Sequence, residues 1–171
     1  MKKIDFRTDI LPLKNELYRL ALRITLNTAE AEDVVQETMI KVWNRRESWH
    51  EIESIEAFCL TICRNLALDR NRKAELNTAS LDEGYDPADH SYNANPEEQA
   101  SQRDRLQLVR KIMEQLPEKQ RTCIQLRDIE GKSYKEIADV MDISEQQVKV
   151  NIFRARQAVK QKYLEQEQYG L

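Results

Sequence analysis

SYKEIADVMDISEQQVKVNIFRAR, residues 133–156, carries apolar residues at helical spacing on both sides of a two-residue break. Ser133 to Met141 has the length of a short helix, Asp142-Ile143 of a tight turn, and Ser144 to Lys162 of a longer helix. Ile137, Ala138, Met141, Ile143, Val148 and Ile152 recur where a helix-turn-helix must face inward. Gln146, Gln147, Lys149, Phe153, Arg154 and Arg156 occupy the remaining surface of the second helix. Such a helix suits the major groove, with cations on phosphates and amides or guanidinium groups on base edges. Action on DNA is the expectation.

Composition sets the class around this motif. The 171 residues are 40% hydrophobic and 33% charged, with three glycines and four prolines, which favours a well-solvated helical protein over a turn-rich β design. No apolar run approaches the ~20 residues of a membrane span. The basic start Met1-Lys2-Lys3 leads into Arg7, Asp9 and Lys14 rather than a secretory apolar region, so a cytoplasmic protein without membrane insertion is expected. Cys59, Cys63 and Cys123 form no C-x-x-C pair, and the two histidines, His50 and His90, fall in loop-like segments. Small core residues in a reducing compartment are expected, with no metal site and no cofactor.

A net charge of −3 looks wrong for a DNA binder until it is divided along the chain. Residues 1–74 hold 13 Lys and Arg against 12 Asp and Glu, residues 75–102 none against 7, and residues 103–171 hold 14 against 11. The acidity therefore belongs to the middle segment, which also contains Gly84, Pro87, Pro96 and several Asn and Asp. This is linker composition. An all-α chain of two small helical domains, 1–74 and 103–171, joined by a flexible acidic linker at 75–102, follows.

In the first block, periodicity predicts helices over about Thr8 to Leu26, about Thr28 to Arg46 (capped by Asn27 or Thr28), and Ser54 to about Lys73. Their inward stripes are Leu13, Leu17, Leu20 and Ile24; then Ala31, Val35, Thr38 and Val42; then Ile55, Cys59, Ile62 and Leu66. In the second block, helices are predicted over about Arg103 to Gln115 and from Pro117, favoured at a first helical position, to a stop at Gly131. The helix-turn-helix completes it.

Two surfaces of the first block invite a functional reading. On the second helix Asp33, Gln36, Glu37, Ile40, Trp43 and Asn44 project together, mixing carboxylates with exposed apolar area as docking onto a basic helical partner requires. The plainer alternative folds Trp43 back onto another helix and leaves Ile40 an ordinary surface residue. On the third helix Arg64, Leu68 and Arg72 share a stripe flanked by Asn65 and Asp69, beside a 47–53 loop whose Trp49 and His50 could stack on an unpaired base. Together these suit single-stranded nucleic acid, where stacking contributes about 1–3 kcal/mol per base.

These residues in this order resemble the bacterial sigma factors. Ala31-Glu32-Asp33-Val34-Val35-Gln36-Glu37 followed by Lys41-Val42-Trp43 is similar to regions 2.1–2.2, and Ala57-Phe58 through Ile62-Cys63-Arg64-Asn65-Leu66-Ala67-Leu68-Asp69-Arg70 to regions 2.3–2.4. Leu116-Pro117 to Arg121, Leu126-Arg127, Gly131 to Ala138, and Val148-Lys149 to Arg156 are similar to region 4. The order, linker length and short chain resemble the extracytoplasmic-function group, over about residues 8–74 and 103–163.

The resemblance implies roles. Asp33, Gln36, Glu37, Ile40 and Trp43 would bind the clamp helices of the β′ subunit of core RNA polymerase, whose β flap would meet the second domain. Trp49, His50, Arg64, Asn65, Leu68, Asp69 and Arg72 would recognise and hold the −10 strand of the promoter as it separates. Gln146, Gln147, Lys149, Val150, Phe153 and Arg154 would read the −35 element, while Arg127 and Arg156 would hold phosphates. An anti-sigma factor is the implied inhibitory partner. Where many relatives carry Ser-Arg after the Val-Lys/Arg pair, this chain has Val150-Asn151, which offers apolar contact to a thymine methyl in place of a hydrogen bond. Asp142 replaces a frequent Gly and tolerates the left-handed conformation.

An autonomous helix-turn-helix regulator binding operators as a dimer would explain residues 103–162 equally well. It gives no purpose to the Asp33–Trp43 face. Catalysis is not expected, because no Gly-rich phosphate loop, nucleophile elbow or metal-ligand spacing is present.

Overall fold

A computed structural model describes residues 3–76 and 96–168, residues 96–100 by their backbone. Among them lie seven α-helices and no strand: α1 (Lys14–Thr25), α2 (Thr28–Asn44), α3 (Ile55–Leu76), α4 (Pro96–Glu114), α5 (Glu118–Ile124), α6 (Tyr134–Met141) and α7 (Glu145–Gln168). The core of the expected 75–102 linker, residues 77–95, lies outside the described residues.

α1, α2 and α3 pack on one another as a three-helix unit; the α2 stripe is buried as periodicity predicts, whereas Leu13 falls in the turn before α1 and the buried face of α3 is rotated toward Leu60, Cys63 and Ala67, leaving Ile55 and Ile62 half-buried. Leu17, Leu20, Ala21 and Ile24 of α1 meet Ala31, Val34, Val35 and Val42 of α2 and Cys59, Leu60, Cys63 and Ala67 of α3. Asn27 caps α2 by accepting from the Glu30 N–H. The Ser54 hydroxyl accepts from the Ala57 N–H at the start of α3.

Three boundaries differ from expectation. The predicted first helix is broken: a π turn at Phe6–Ile10 and a 3-10 turn at Leu11–Leu13 precede α1. Pro12 supplies no N–H and crowds the preceding turn, so a continuous α-helix cannot run through it. The 47–53 loop is largely a 3-10 helix, Arg46–Glu51. α4 starts at Pro96, inside the segment read as linker and seven residues before Arg103. Pro96 with Glu97 and Glu98 behind it is a favoured helix opening that the acidic composition masked.

In the second unit Pro117 is the N-cap of α5 rather than its first residue. α5 runs on as a π turn, Gln125–Ile129, and ends at Gly131, whose φ of +72° needs no Cβ. Ser133 and Glu136 form a reciprocal capping box on α6, and Asp142 closes α6 in the left-handed region at φ +54°. Ser144 and Gln147 repeat that box on α7: the Ser144 hydroxyl accepts from the Gln147 N–H while Gln147 Oε1 accepts from the Ser144 N–H. The two-residue break is thus held by caps on either side.

The two units are not apart. α6 packs against α3 and α5 against α1, so Cys123, Leu126, Ile137, Val140 and Met141 join the core of α1–α3 in one continuous cluster. A smaller cluster of Met113, Leu116, Ile124 and Ala155 ties α4 to α5 and α7.

Candidate nucleic-acid and protein-binding faces

The outward face of α2 has the predicted mixture. Ile40 is 60% exposed and Trp43 46%, with Asp33, Gln36 and Asn44 also in solvent. The alternative for Trp43 is realised in part: its ring stands edge-on to Phe6 at 5.4 Å and to Trp49 at 6.1 Å, with the Arg46 guanidinium 4.7 Å above it. Nearly half the indole still faces water. Arg70, reaching over from α3, ion-pairs with Glu30 at 2.9 Å, Glu37 at 3.2 Å and Asp33 at 3.9 Å. Those carboxylates are held in place but left with surplus negative charge.

The residues expected on the −10 side do not form one surface. Asn65 and Asp69 line a cleft of about 520 Å³ between α2 and α3. Lys41, Asn44, Arg45, Phe58 and Ile62 share it, none of them singled out for this role by the sequence. Phe58 and Ile62 give the cleft an apolar wall and Lys41 and Arg45 a cationic rim, which together suit an unstacked base and its phosphate. Arg72 is exposed at the end of the same helix and pairs with Asp69 at 2.7 Å. Leu68 is only half exposed and packs on the core.

Three expectations are corrected here. Trp49 is 8% exposed, and its Nε1–H donates to the Val42 carbonyl at 3.0 Å, so it anchors the 3-10 turn instead of offering a stacking face. His50 is exposed but lines a different cleft, of about 1240 Å³, with Trp43, Arg46 and the N-terminal segment. Arg64 is 9% exposed and forms a two-pronged pair with Glu118 of α5 at 3.1–3.2 Å, so it touches no solvent-facing groove while the units are packed.

The helix-turn-helix presents its reading face as predicted. Gln146, Lys149, Val150, Phe153 and Arg154 are exposed, Phe153 by 64%. Gln147 is exposed as well, though its carbonyl oxygen is engaged by the cap. The two arginines assigned to phosphates are already engaged. Arg127 donates to the Lys132 carbonyl at 2.8 Å and lies 4.3 Å over the Tyr134 ring, bracing the Gly131 turn. Arg156 makes a two-pronged pair with Asp128 at 2.5–2.9 Å, a hydrogen bond that raises its pKa further above the ordinary arginine value.

Beside this unit, Leu106, Val109, Val159, Tyr163 and Leu164 line an apolar groove of about 460 Å³ between α4 and α7. The three cysteines are buried and unpaired, and burial pushes each thiol up to about 12. Among the described residues no group of His, Cys, Asp and Glu could hold a metal ion, and no helix is long and apolar enough to cross a membrane.

Two family profiles match: "Sigma-70 region 2" over residues 10–76 and "Sigma-70, region 4" over residues 106–159. Neither describes a catalytic family. The chain is 33% identical to the ECF RNA polymerase sigma factor SigL of Mycobacterium tuberculosis over 147 residues, 84% of this chain and 80% of that one. It is 31% identical to the RNA polymerase sigma-H factor of Pseudomonas aeruginosa over 160 residues, 88% and 83% of the two chains. In fold it is similar to the sigma factor RpoE of Bartonella quintana, solved in complex with the anti-sigma factor NepR, with a TM-score of 0.74 at 24% identity over 92% of this chain and 96% of that one. CnrH in complex with the cytosolic domain of CnrY is similar at a TM-score of 0.65 and 21% identity, over 91% and 84%.

Proposed function

The chain belongs to the extracytoplasmic-function group of sigma-70 family RNA polymerase sigma factors, and on that footing we propose how its surfaces divide the work. The exposed α2 face, Asp33, Gln36, Glu37, Ile40 and Trp43, docks on the β′ clamp helices of core polymerase. Its carboxylates meet cations, and Ile40 and Trp43 supply the desolvated anchor that such interfaces need. The apolar groove between α4 and α7 takes a helix of the β flap.

The cleft around Asn65 and Asp69 receives an unpaired base of the −10 element, whose extrusion costs a few kcal/mol that stacking and hydrogen bonds must offset. Lys149, Val150, Phe153 and Arg154 read the −35 element in the major groove, Val150 and Phe153 by apolar contact. The work is binding alone, with no bond chemistry. A partner of the kind that holds the Bartonella quintana RpoE, an anti-sigma factor, is proposed for this chain too.

One observation carries the reading: a helix-turn-helix with its reading face open stands in the same short chain as an acidic helix exposing Ile40 and Trp43. A free-standing operator binder has no use for the second. The test is transcription with purified core polymerase on a library of genomic promoter fragments. Start sites should appear only when this chain is added. Failure to bind core, with repression by the chain alone, would overturn the reading.

A further inference from the structure

The ion pairs Arg19–Glu130 and Arg64–Glu118 join the two helical units, whereas Arg70 works within the first. Glu30, Asp33 and Glu37 stand at i, i+3 and i+7 on α2, so their carboxylates share one face and repel one another. Arg70 reaches across from α3 and sets a nitrogen on each end of this row. Its Nη1 donates to Glu30 at 2.9 Å and its Nη2 to Glu37 at 3.2 Å. Asp33 lies between them, 3.9 Å from Nη1. Partial burial works to lower the Arg70 pKa, but the hydrogen bonds to Glu37 and Glu30 outweigh it and carry the value above the ordinary one. The backbone behind the guanidinium is fixed as well, because Asn71 donates to the Ile24 carbonyl at 2.8 Å and Leu66 and Ala67 are buried. The fork is aimed from a rigid base.

From this geometry we propose that Arg70 is a positioning residue of the polymerase-docking face, holding Glu37, and Asp33 beside it, where a basic partner helix finds them already aligned. The inference rests on the docking proposed for that face.

Two simpler roles fit less well. As a staple between α2 and α3, Arg70 adds little, because Val34, Val35 and Val42 already share a buried core with Cys59, Leu60, Cys63 and Ala67. Partly exposed ion pairs count for little beside such a core. As a brake on charge, it neutralises one carboxylate of three, and the face stays negative. Asp33 and Glu37 keep 61% and 40% of their side-chain surface in solvent, so they can accept from a partner while Arg70 holds them. What the fork supplies is order. A free glutamate loses rotamer freedom when it docks, a cost that a side chain already held does not incur. A lysine ammonium is a single point and cannot hold both ends of the row.

The test compares Arg70→Lys and Arg70→Gln in the full chain, each binding purified core polymerase at about 0.3 M salt, where distant charges are screened. Positioning weakens both complexes, Arg70→Lys by about fivefold and Arg70→Gln by about tenfold, the scale of ordering one or two side chains at an interface. Charge alone gives the opposite pattern. Arg70→Lys would bind unchanged, and Arg70→Gln, with the face one charge more negative, would bind a basic partner more tightly. Either result overturns the proposal. A third arm asks whether Arg70 acts through its neighbour: with Glu37→Ala already in place, Arg70→Lys should cost under about twofold. An undiminished loss there would mean that Arg70 touches the partner itself, and overturns the proposal too.

Circular dichroism and thermal melts check that each variant folds. If Arg70→Lys does not, the unmodified chain decides: the Nη protons of Arg70 should give separate NMR signals, as for a guanidinium held against rotation. A freely turning group overturns the proposal. Asp33→Lys with Glu37→Lys separates the two readings. If that variant binds core as the unmodified chain does, the docking itself falls and Arg70 has no face to position. If it loses binding while Arg70→Lys does not, the positioning alone falls.

Discussion

Trp49 shows how a single side chain can be read correctly in type and wrongly in direction. An indole in a polar stretch beside a basic helix suggested a stacking surface, yet its N–H is tied to Val42 and its ring is buried. Trp49→Ala should therefore cost about 3–5 kcal/mol of stability, as for other buried aromatics, measured by chemical denaturation. A stacking residue would instead weaken DNA binding and leave stability alone. Arg154 makes the opposite case, being exposed and free to read a base. Arg154→Ala should lose roughly 1–3 kcal/mol of discrimination at one −35 base pair if its contact is two-pronged. Equal loss on all −35 sequences would reassign it to a phosphate.

Cys59, Cys63 and Cys123 give a pH signature. Burial lifts each thiol to about 12, so above pH ~9 the unfolded chain releases protons that the folded chain keeps. The stability tied to these thiols is full below that pH and falls as pH rises toward 12, by up to about 1.4 kcal/mol per unit for each thiol. A Cys→Ala triple variant should show a flatter decline of the denaturation midpoint between pH 9 and 11 than the unmodified chain.

At the level of elements, caps and period did most of the predictive work. α2, α3, α6 and α7 were legible because each carries an apolar stripe at helical spacing and three of them open on Asn27, Ser133 or Ser144. Ser133→Ala should cost about 1 kcal/mol and Glu136→Ala should add little more, because the two bonds of the box support each other; thermal melts of the two single variants and the double variant check this. The short π and 3-10 turns were not legible, since three to six residues are too few to display a period. Nor did the sequence separate the cleft of Asn65 and Asp69 from the one lined by His50. Both groups are polar residues beside a basic stripe, and only the fold assigns Lys41, Arg45 and Phe58 to the first.

Across the whole molecule the two helical units and their order could be read, but not their packing. Arg19 and Glu130 are 111 residues apart, and Arg64 and Glu118 are 54 apart. Charges on an exposed helical face look the same in sequence whether they meet solvent or another unit. The packing also changes what cleavage should do. Residues 75–102 contain no Lys or Arg, so trypsin spares them, whereas a glutamate-directed protease can cut at Glu75 or Glu83. The two halves should then elute together on gel filtration, held by the shared apolar core and the ion pairs around it, and separate only in mild denaturant. Immediate separation in low salt would show that the units do not hold each other.

Only two tryptophans occur in this chain, one sealed against Val42 and one standing at the rim of the acidic helix. Fluorine-labelled tryptophan would accordingly yield a pair of resonances with opposite manners. The exposed indole of Trp43 should broaden and migrate on the proposed docking of core polymerase, and the buried Trp49, 6.1 Å from it, should shift by less. On the docking proposed for the α2 face, the Trp43 signal serves as a spectroscopic witness of holoenzyme assembly.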